Sequence, residues 1–217
     1  TIKEGEKVAI LGVIGSGKST LLKLLSALYK PTKGKVFLDN LDVSHISRDV
    51  LSDTIGYLPQ ENKLFSGTLR DNLSSGIVGI TDERILEISK LTGLTGLISA
   101  LPEGLDTVVP EGGESVSGGQ KQLIALTRML ISSNDILLLD EPTASMDEGT
   151  EKHLIRTLKN NVKTEQTMII VTHKPALLSL VDRIIVLTPQ GIAMDDTKEK
   201  VLQTLQQNAI KQAKVTQ

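Results

Sequence analysis

Residues 7–20 read KVAILGVIGSGKST, and this stretch decides the fold. The apolar run at 7–11 predicts a buried strand, and the glycine-rich segment that follows predicts a tight loop. From Lys18 to Pro31 leucines recur at helical spacing, at Leu21, Leu22, Leu24, Leu25 and Leu28. A strand, a glycine loop and a helix in direct succession indicate an α/β fold.

The loop carries the residues that phosphate binding requires. Gly12, Gly17, Lys18 and Ser19 fit the pattern G-x-x-x-x-G-K-[ST], the P-loop. Glycines let backbone N–H groups converge on an anion, and Lys18 can reach the β- and γ-phosphates while Ser19 binds Mg²⁺. The competing interpretation is a glycine-rich turn with a surface lysine. The predicted nucleotide-binding residues here are Gly12, Gly15, Ser16, Gly17, Lys18, Ser19 and Thr20.

Length and composition limit the class of protein. The 217 residues suit one globular domain, or one domain with an added lobe. A formal charge of −2 gives no electrostatic reason to expect nucleic acid, and the absence of cysteine excludes disulfides and thiolate metal sites. Apolar runs such as 136–139 are far shorter than the ~20 residues of a membrane span. Because the polar start at Thr1 lies close to the first strand, we expect the chain to be cut from a longer protein.

Apolar strands alternate with helices along the rest of the chain. Because residues 62–133 lack clear strands, we predict a helical subdomain there, inserted between core segments at 1–61 and 134–217. The alternation predicts a mostly parallel α/β sheet. Further strands are predicted at 35–38, 55–58, 136–139, 168–171 and 183–187, and helices at 82–91, 150–158 and 198–214.

The segment ILLLDE at 136–141 is a strand that ends in two carboxylates. In an open α/β sheet the carboxyl ends of the strands face the ligand crevice, which places Asp140 and Glu141 beside the P-loop. Asp140 is predicted to hold Mg²⁺, directly or through water, and Glu141 to polarise an attacking water. The pair predicts hydrolysis of a nucleoside triphosphate. The alternative is a strand followed by a solvated acidic turn.

A third feature precedes this strand, where residues 116–130 read VSGGQKQLIALTRML. It predicts a helix that begins at glycines, and amides at such an end can bind a second phosphate. The stretch resembles the signature motif of ABC-type ATPases. The resemblance implies that Ser117, Gly118, Gly119 and Gln120 bind the γ-phosphate of ATP held by a facing subunit, in a head-to-tail homodimer. A plain capped helix is the competing interpretation.

The resemblance covers nearly the whole chain and implies a RecA-like P-loop NTPase core that uses ATP and Mg²⁺. Gln60 resembles the Q-loop glutamine, which senses Mg²⁺ and water, and residues 142–147 (PTASMD) resemble the D-loop. His173 resembles the switch histidine that contacts the γ-phosphate, although a histidine at a strand end is by itself more often structural. Glu111–Gly113 resembles the segment that touches transmembrane coupling helices in exporters.

Together these likenesses imply a complete hydrolytic site. The implied catalytic residues are Glu141, His173 and Gln60, and the implied Mg²⁺ ligands are Ser19, Gln60 and Asp140.

Two positions depart from the family pattern. Val116 stands where the signature usually has leucine, which is a small apolar change. The family also has an aromatic residue that stacks on adenine, upstream of the first strand, and Tyr29 and Tyr57 are poor substitutes by position. We therefore expect that the N-terminal β part of the family's fold is truncated here.

Three further stretches narrow the resemblance. LFSGTLRDNL at 64–73 resembles exporter-type domains. DEPTASMD at 140–147 and VTHKPALLSLVDRIIVL at 171–187 look most like the ATPases of bacterial type I secretion. This implies a domain on the cytoplasmic side of the bacterial inner membrane that acts with transmembrane domains and secretion accessory proteins. It would couple ATP hydrolysis to protein export.

Two other functions stay open at this point. One is an ABC-family ATPase that acts on nucleic acid or ribosomes without a membrane partner; the acidic composition disfavours it. The other is a degenerate regulatory domain. Glu141, His173 and an intact SGGQ sequence disfavour that, because an inactive site need not keep them.

Overall fold

The computed structural model describes the backbone of residues 1–215 and the side chains of residues 1–208. The strands in this described part are β1 Lys7–Gly12, β2 Phe37–Leu38, β3 Leu41–Asp42, β4 Ile55–Leu58, β5 Gly67–Thr68, β6 Val108–Val109, β7 Ile136–Asp140, β8 Thr167–Val171, β9 Arg183–Thr188 and β10 Gly191–Thr197. The α-helices are α1 Lys18–Leu25, α2 Arg48–Thr54, α3 Leu69–Ser74, α4 Asp82–Thr92, α5 Thr95–Ala100, α6 Gly118–Ser132, α7 Glu148–Asn161 and α8 Lys198–Val215. Of the helices in the described part, none is long and apolar enough to cross a bilayer.

A six-stranded sheet in the order β10-β9-β1-β8-β7-β4 forms the centre of the molecule. All neighbouring pairs are parallel except β9 and β10. Parallel strands are covered by helices on both faces, which explains why Val8, Ala9 and Ile10 of β1 are all buried. The predicted mostly parallel α/β fold is confirmed.

Local backbone geometry accounts for the places where the elements differ from prediction. The first helix ends at Leu25, ahead of Pro31, because the chain turns left-handed at Ala27, with φ of 56°. The strand predicted at 35–38 shrinks to β2. It forms a hairpin with β3 through Asp39 and Asn40, whose positive φ values are those of a tight two-residue turn.

Several elements without an apolar run were not predicted, and β10 and α2 are the longest of them. β10 (GIAMDDT) lies at the edge of the sheet and is mostly exposed, so it lacks the hydrophobic pattern of a central strand. α2 is short and buries none of its residues; it depends on Ser47, whose side chain accepts a hydrogen bond from the N–H of Val50. The helix predicted at 198–214 corresponds to α8.

The strand-poor middle of the chain has an apolar core of its own. Every buried member of this cluster lies between Leu64 and Ile131. α6 joins it to the sheet, because Leu123 and Ile124 face this cluster while Leu126 and Met129 pack in the core beneath the sheet. This arrangement fits a helical subdomain at 62–133, and the division itself remains a prediction.

Asn72 on α3 fixes the entry to this subdomain. Its side chain is fully buried, and its Oδ1 accepts a hydrogen bond from the N–H of Phe65 at 3.1 Å. Its Nδ2 donates to the carbonyls of Phe65 and Thr68, both at 3.0 Å. Three backbone groups therefore depend on one buried amide.

We expect Asn72→Ala to lower the free energy of unfolding by about 2–3 kcal/mol, because it removes three hydrogen bonds made by one buried side chain. Chemical denaturation measures this. Asn161→Ala is the control: Asn161 is exposed and donates one bond to the Thr157 carbonyl at 2.8 Å. Asn161→Ala should lower the free energy of unfolding by less than about 0.5 kcal/mol. Equal losses in the two variants would contradict the role of Asn72.

Candidate nucleotide site

The predicted site residues meet at one edge of the sheet. The P-loop follows β1, the acidic pair ends β7, and His173 follows β8. Register places Ile10 of β1 beside Val171 of β8, and Asp140 of β7 beside the same Val171. Because these strands are parallel, the sheet brings their carboxyl ends together, as the sequence predicted.

The P-loop glycines are needed for two different reasons. A side chain at Gly12 would place its Cβ 2.2 Å from the carbonyl oxygen of Leu187, so β9 leaves no room there. Gly15 and Gly17 have open space around them, but their φ values of 80° and 91° are left-handed. Glycine adopts that conformation without strain, and it lets the loop amides turn toward one point.

Lys18 lies inside this loop. Its side chain is buried, and its ammonium donates to the carbonyls of Gly12 at 2.8 Å and Val13 at 3.0 Å. Close by, the buried hydroxyl of Ser16 has no hydrogen-bond partner. A buried cation and an unpartnered hydroxyl at the start of α1 suit a bound phosphate, which accepts hydrogen bonds from both.

Asp140 is the carboxylate that suits Mg²⁺. It is buried, and its Oδ1 has no hydrogen-bond partner. Burial raises the pKa of Asp140, while the Ser19 side chain and the charges of Lys23 and Lys18 act against that rise. A buried, unpartnered carboxylate oxygen beside a hydroxyl is a donor set that hard cations prefer. The residues present therefore fit the ion.

The described residues contain no cluster of three or more histidine or acidic side chains that could hold a metal without further ligands. A Mg²⁺ ion at Asp140 would take its remaining ligands from other oxygen donors, such as hydroxyls, water or phosphate.

Gln60 lies beside the start of α6. It follows β4 and lines a cleft of about 180 Å³. The other lining residues are Glu61, Asn62, Gly118, Lys121, Gln122 and Ser145. The structure thus places the predicted Q-loop residue against the start of α6. Its role as a Mg²⁺ ligand stays a prediction.

Glu141 has an unusual backbone and a confined side chain. Its φ of 49° is left-handed, and its N–H donates to the Val171 carbonyl at 2.9 Å. The N–H of His173 donates to Oε2 at 3.4 Å; the His173 Nε2 lies 3.4 Å from Oε1 without forming a hydrogen bond. Burial raises the pKa of Glu141, and His173 acts against the rise. This leaves an unpartnered carboxylate oxygen that can accept a proton.

The start of α6 has the geometry of a capped helix. The Ser117 side chain accepts from the N–H of Gln120 at 3.2 Å, and the Gln120 side chain accepts from the N–H of Ser117 at 2.8 Å. A Cβ at Gly119 would lie 2.7 Å from the Ser145 carbonyl oxygen, so the helix start sits directly on residues 142–147. The predicted phosphate contacts of Ser117, Gly118, Gly119 and Gln120 remain predictions.

The two tyrosines differ in whether their rings are accessible for stacking on adenine. Tyr57 packs against the buried cluster that includes Leu22 of α1 and Leu138 of β7. Its hydroxyl is buried, and burial raises its pKa to about 12. Tyr29 is exposed, and the Lys23 ammonium lies 5.3 Å from its ring centre. Tyr57 is therefore unsuited to stacking on adenine.

Two side chains that the sequence did not predict as functional hold the turn 141–146 in place. The Gln122 Nε2 donates to the Glu141 carbonyl at 2.7 Å, and its Oε1 accepts from the N–H of Ser145 at 3.3 Å. Lys174 donates to the Thr143 carbonyl at 2.8 Å and pairs with the Glu151 carboxylate. In the sequence, Gln122 can be recognised as a polar residue beside the apolar stripe of α6. Lys174 gave no local signal.

These features define an α/β P-loop NTPase with a complete set of candidate hydrolytic groups. A family model described as ABC transporter matches residues 1–144. The chain belongs to the ABC transporter family and corresponds to its ATP-binding, ATPase domain.

Named relatives and a solved structure agree with this assignment. The chain is 38% identical over 204 residues to the iron-sulfur clusters transporter ATM1, mitochondrial, of Debaryomyces hansenii, covering 94% of this chain and 29% of that protein. It is 37% identical over 192 residues to the uncharacterized ABC transporter ATP-binding protein YwjA of Bacillus subtilis, covering 88% and 33%. A bacterial Atm1-family ABC exporter with ATP bound matches with a TM-score of 0.87 at 32% identity, covering 94% of this chain and 35% of that chain.

The chain thus spans about a third or less of the length of these relatives.

The raised pKa of Glu141 predicts how stability depends on pH. The folded protein binds this proton more tightly than the unfolded chain, so the stabilisation is present below the unfolded pKa and is lost as pH rises through the folded pKa. Glu141→Gln removes the ionisation. It should therefore raise the thermal unfolding midpoint near pH 7 relative to the unmodified protein, and the difference should shrink toward about pH 4.

Unfolding scans across pH measure this difference. The matched control is Glu148→Gln, since the Glu148 side chain is 80% exposed in a surface pair with Lys152. Glu148→Gln should leave the midpoint nearly unchanged. A Glu141→Gln midpoint at or below that of the unmodified protein near pH 7 would show that burial does not penalise the Glu141 charge.

Proposed function

We propose that this domain binds ATP with Mg²⁺ and hydrolyses it to drive export by a membrane-embedded transporter. The observation that carries the proposal is the pair Asp140 and Glu141. Each is confined at the end of β7 beside the P-loop, and each keeps one carboxylate oxygen without a hydrogen-bond partner. Burying two such charges is unfavourable unless a ligand uses them.

Binding is assigned to the P-loop and Asp140. The loop amides and the Lys18 ammonium hold and neutralise the β- and γ-phosphates. Ser19, Asp140 and Gln60 hold Mg²⁺, which when bound offsets the negative charge on the phosphate oxygens. The other predicted P-loop residues, Gly12, Gly15, Ser16, Gly17 and Thr20, shape the loop or donate to phosphate.

Chemistry is assigned to Glu141 and His173. A water oxygen attacks the γ-phosphorus, the bond from that phosphorus to the bridging oxygen breaks, and ADP leaves with the electron pair. Glu141 accepts the proton of the water, and its raised pKa makes it a stronger base than an ordinary glutamate. His173, whose ring faces the same carboxylate, orients the γ-phosphate.

A second copy completes the site. Ser117, Gly118 and Gly119, with Gln120 as the capping partner, form a helix start that can bind phosphate. The head-to-tail dimer places this start against the nucleotide of the facing copy, so ATP closes the dimer and hydrolysis reopens it. Transmembrane domains would convert that closure into transport, with this domain on the cytoplasmic side of the membrane.

Two cargo classes are separated by experiment. The stretches at 140–147 and 171–187 favour type I protein secretion from bacteria, which would add accessory proteins as partners. The likeness to mitochondrial ATM1 favours cargo of the kind that its name states, iron–sulfur clusters. Stimulation of hydrolysis by an unfolded secreted polypeptide supports the first class. Stimulation by a cluster-bearing thiol compound supports the second.

The ATPase assignment is tested by phosphate release from Mg-ATP at increasing protein concentration. We expect a rate that rises faster than linearly, because two chains build each site, and almost no release by Glu141→Gln, which still binds ATP. Glu148→Gln should match the unmodified protein.

Two results would count against this account. Wild-type turnover by Glu141→Gln would remove the role given to that carboxylate. A strictly linear dependence down to the lowest concentrations would show that one chain suffices.

A further inference from the structure

Gln122 is a buried polar side chain that the mechanism above does not use. It is 1% exposed and lies one turn inside α6. Both ends of its amide are engaged: Nε2 donates to the Glu141 carbonyl, and Oε1 accepts from the N–H of Ser145. A single side chain therefore spans the turn 141–146, which carries Glu141.

This turn needs an external support. The left-handed φ of 49° at Glu141 is disfavoured for a residue with a Cβ and persists only where surrounding contacts enforce it. Within the turn, the Glu141 carbonyl also accepts from the N–H of Ala144 at 3.1 Å. The 2.7 Å bond from Gln122 is the shorter of the two, and it comes from a different element.

The contact between α6 and the turn is also tight. Gly119 leaves no space for a Cβ, because Ser145 O lies 2.7 Å from where that atom would be. Met146 packs against both the core beneath the sheet and the cluster of the helical part. Lys174 holds the far side of the turn at Thr143 O. Hydrogen bonds thus hold the turn from two sides, and Gln122 makes those on the α6 side.

We propose that Gln122 is a positioning residue for Glu141: it fixes the backbone at Glu141 to α6, so that the carboxylate points at the attacking water. The proposal rests on the proposed ATPase function. Gln122 touches neither nucleotide nor water in this account. Its loss therefore affects the rate of the chemical step and leaves ATP binding by the P-loop intact.

A matched control exists in the same chain. Gln166 bridges two backbone groups in the same manner, donating to the Asn134 carbonyl at 2.7 Å and accepting from the N–H of Lys163 at 2.9 Å. It lies on the segment just before β8, away from the P-loop and from the turn 141–146. Gln122→Leu and Gln166→Leu each remove one donor and one acceptor and keep a similar side-chain volume.

The experiment measures steady-state hydrolysis and ATP affinity of both variants in the complete natural protein. For Gln122→Leu we expect kcat to fall at least tenfold while the ATP Kd changes less than threefold. For Gln166→Leu both should stay within twofold of the unmodified protein. A Gln122→Leu kcat equal to that of Gln166→Leu would overturn the proposal, as would a loss of ATP affinity in proportion to kcat.

A second readout does not depend on turnover. In Gln122→Leu the amide hydrogen of Ser145 should exchange with solvent faster, as should that of Lys163 in Gln166→Leu. Unchanged exchange at Ser145 would overturn the inference even if hydrolysis fell. If the unmodified protein hydrolysed no ATP, the proposed function would fail; altered Ser145 exchange would then still report on the link between Gln122 and the turn.

Discussion

The structure depends on one energetically unfavourable arrangement. Two adjacent carboxylates, Asp140 and Glu141, lie largely out of water at the carboxyl end of a central parallel strand. Burial raises the pKa of both, so each resists being charged where it is. The sheet imposes the placement, because β7 lies between β8 and β4 and ends beside the P-loop. The cations nearby, Lys18 and Lys23, lower the cost without forming a direct pair with either oxygen that lacks a partner.

The placement in turn explains the elements around it. Glu141 leaves the strand in a left-handed conformation, and the turn behind it is fastened from two sides, by Gln122 of α6 and by Lys174 after β8. The helix start that would meet a second nucleotide packs on the same turn through Gly119. Two sequence-distant segments, α6 and the residues after β8, therefore converge on a few backbone atoms of this turn and fix the position of Glu141.

Much of the fold could be predicted because its signals are local. The strand, loop and helix at 7–25 are contiguous, and parallel strands buried on both faces read as plain apolar runs. The edge strand β10 and the exposed helix α2 have no such pattern. The left-handed conformation at Ala27 ends the first helix although the leucine pattern continues to Leu28. Alanine is not a residue type that predicts a left-handed turn.

The sequence predicted the residue types of the candidate site. It did not predict the side chains that hold those residues in position. Gly12, Lys18 and Asp140 sit in motifs whose chemistry dictates their spacing. Gln122 and Lys174 act through bonds to residues 19 and 31 positions away, respectively, which only the tertiary structure brings near. The narrower expectation of type I secretion depended on resemblance in two stretches, whereas the named relatives include an iron–sulfur clusters transporter.

If two copies share each nucleotide site, two chains that carry different defects should form one working site when they pair, and complementation measures this. Lys18→Ala removes the P-loop cation, and Ser117→Arg blocks the start of α6; each variant alone should be inactive. Co-expressed with different tags and purified as mixed pairs, they contain one intact P-loop facing one intact α6 start. Mixed pairs should therefore regain ATP hydrolysis. Mixed pairs as inactive as either variant, with both chains folded and paired, would contradict it.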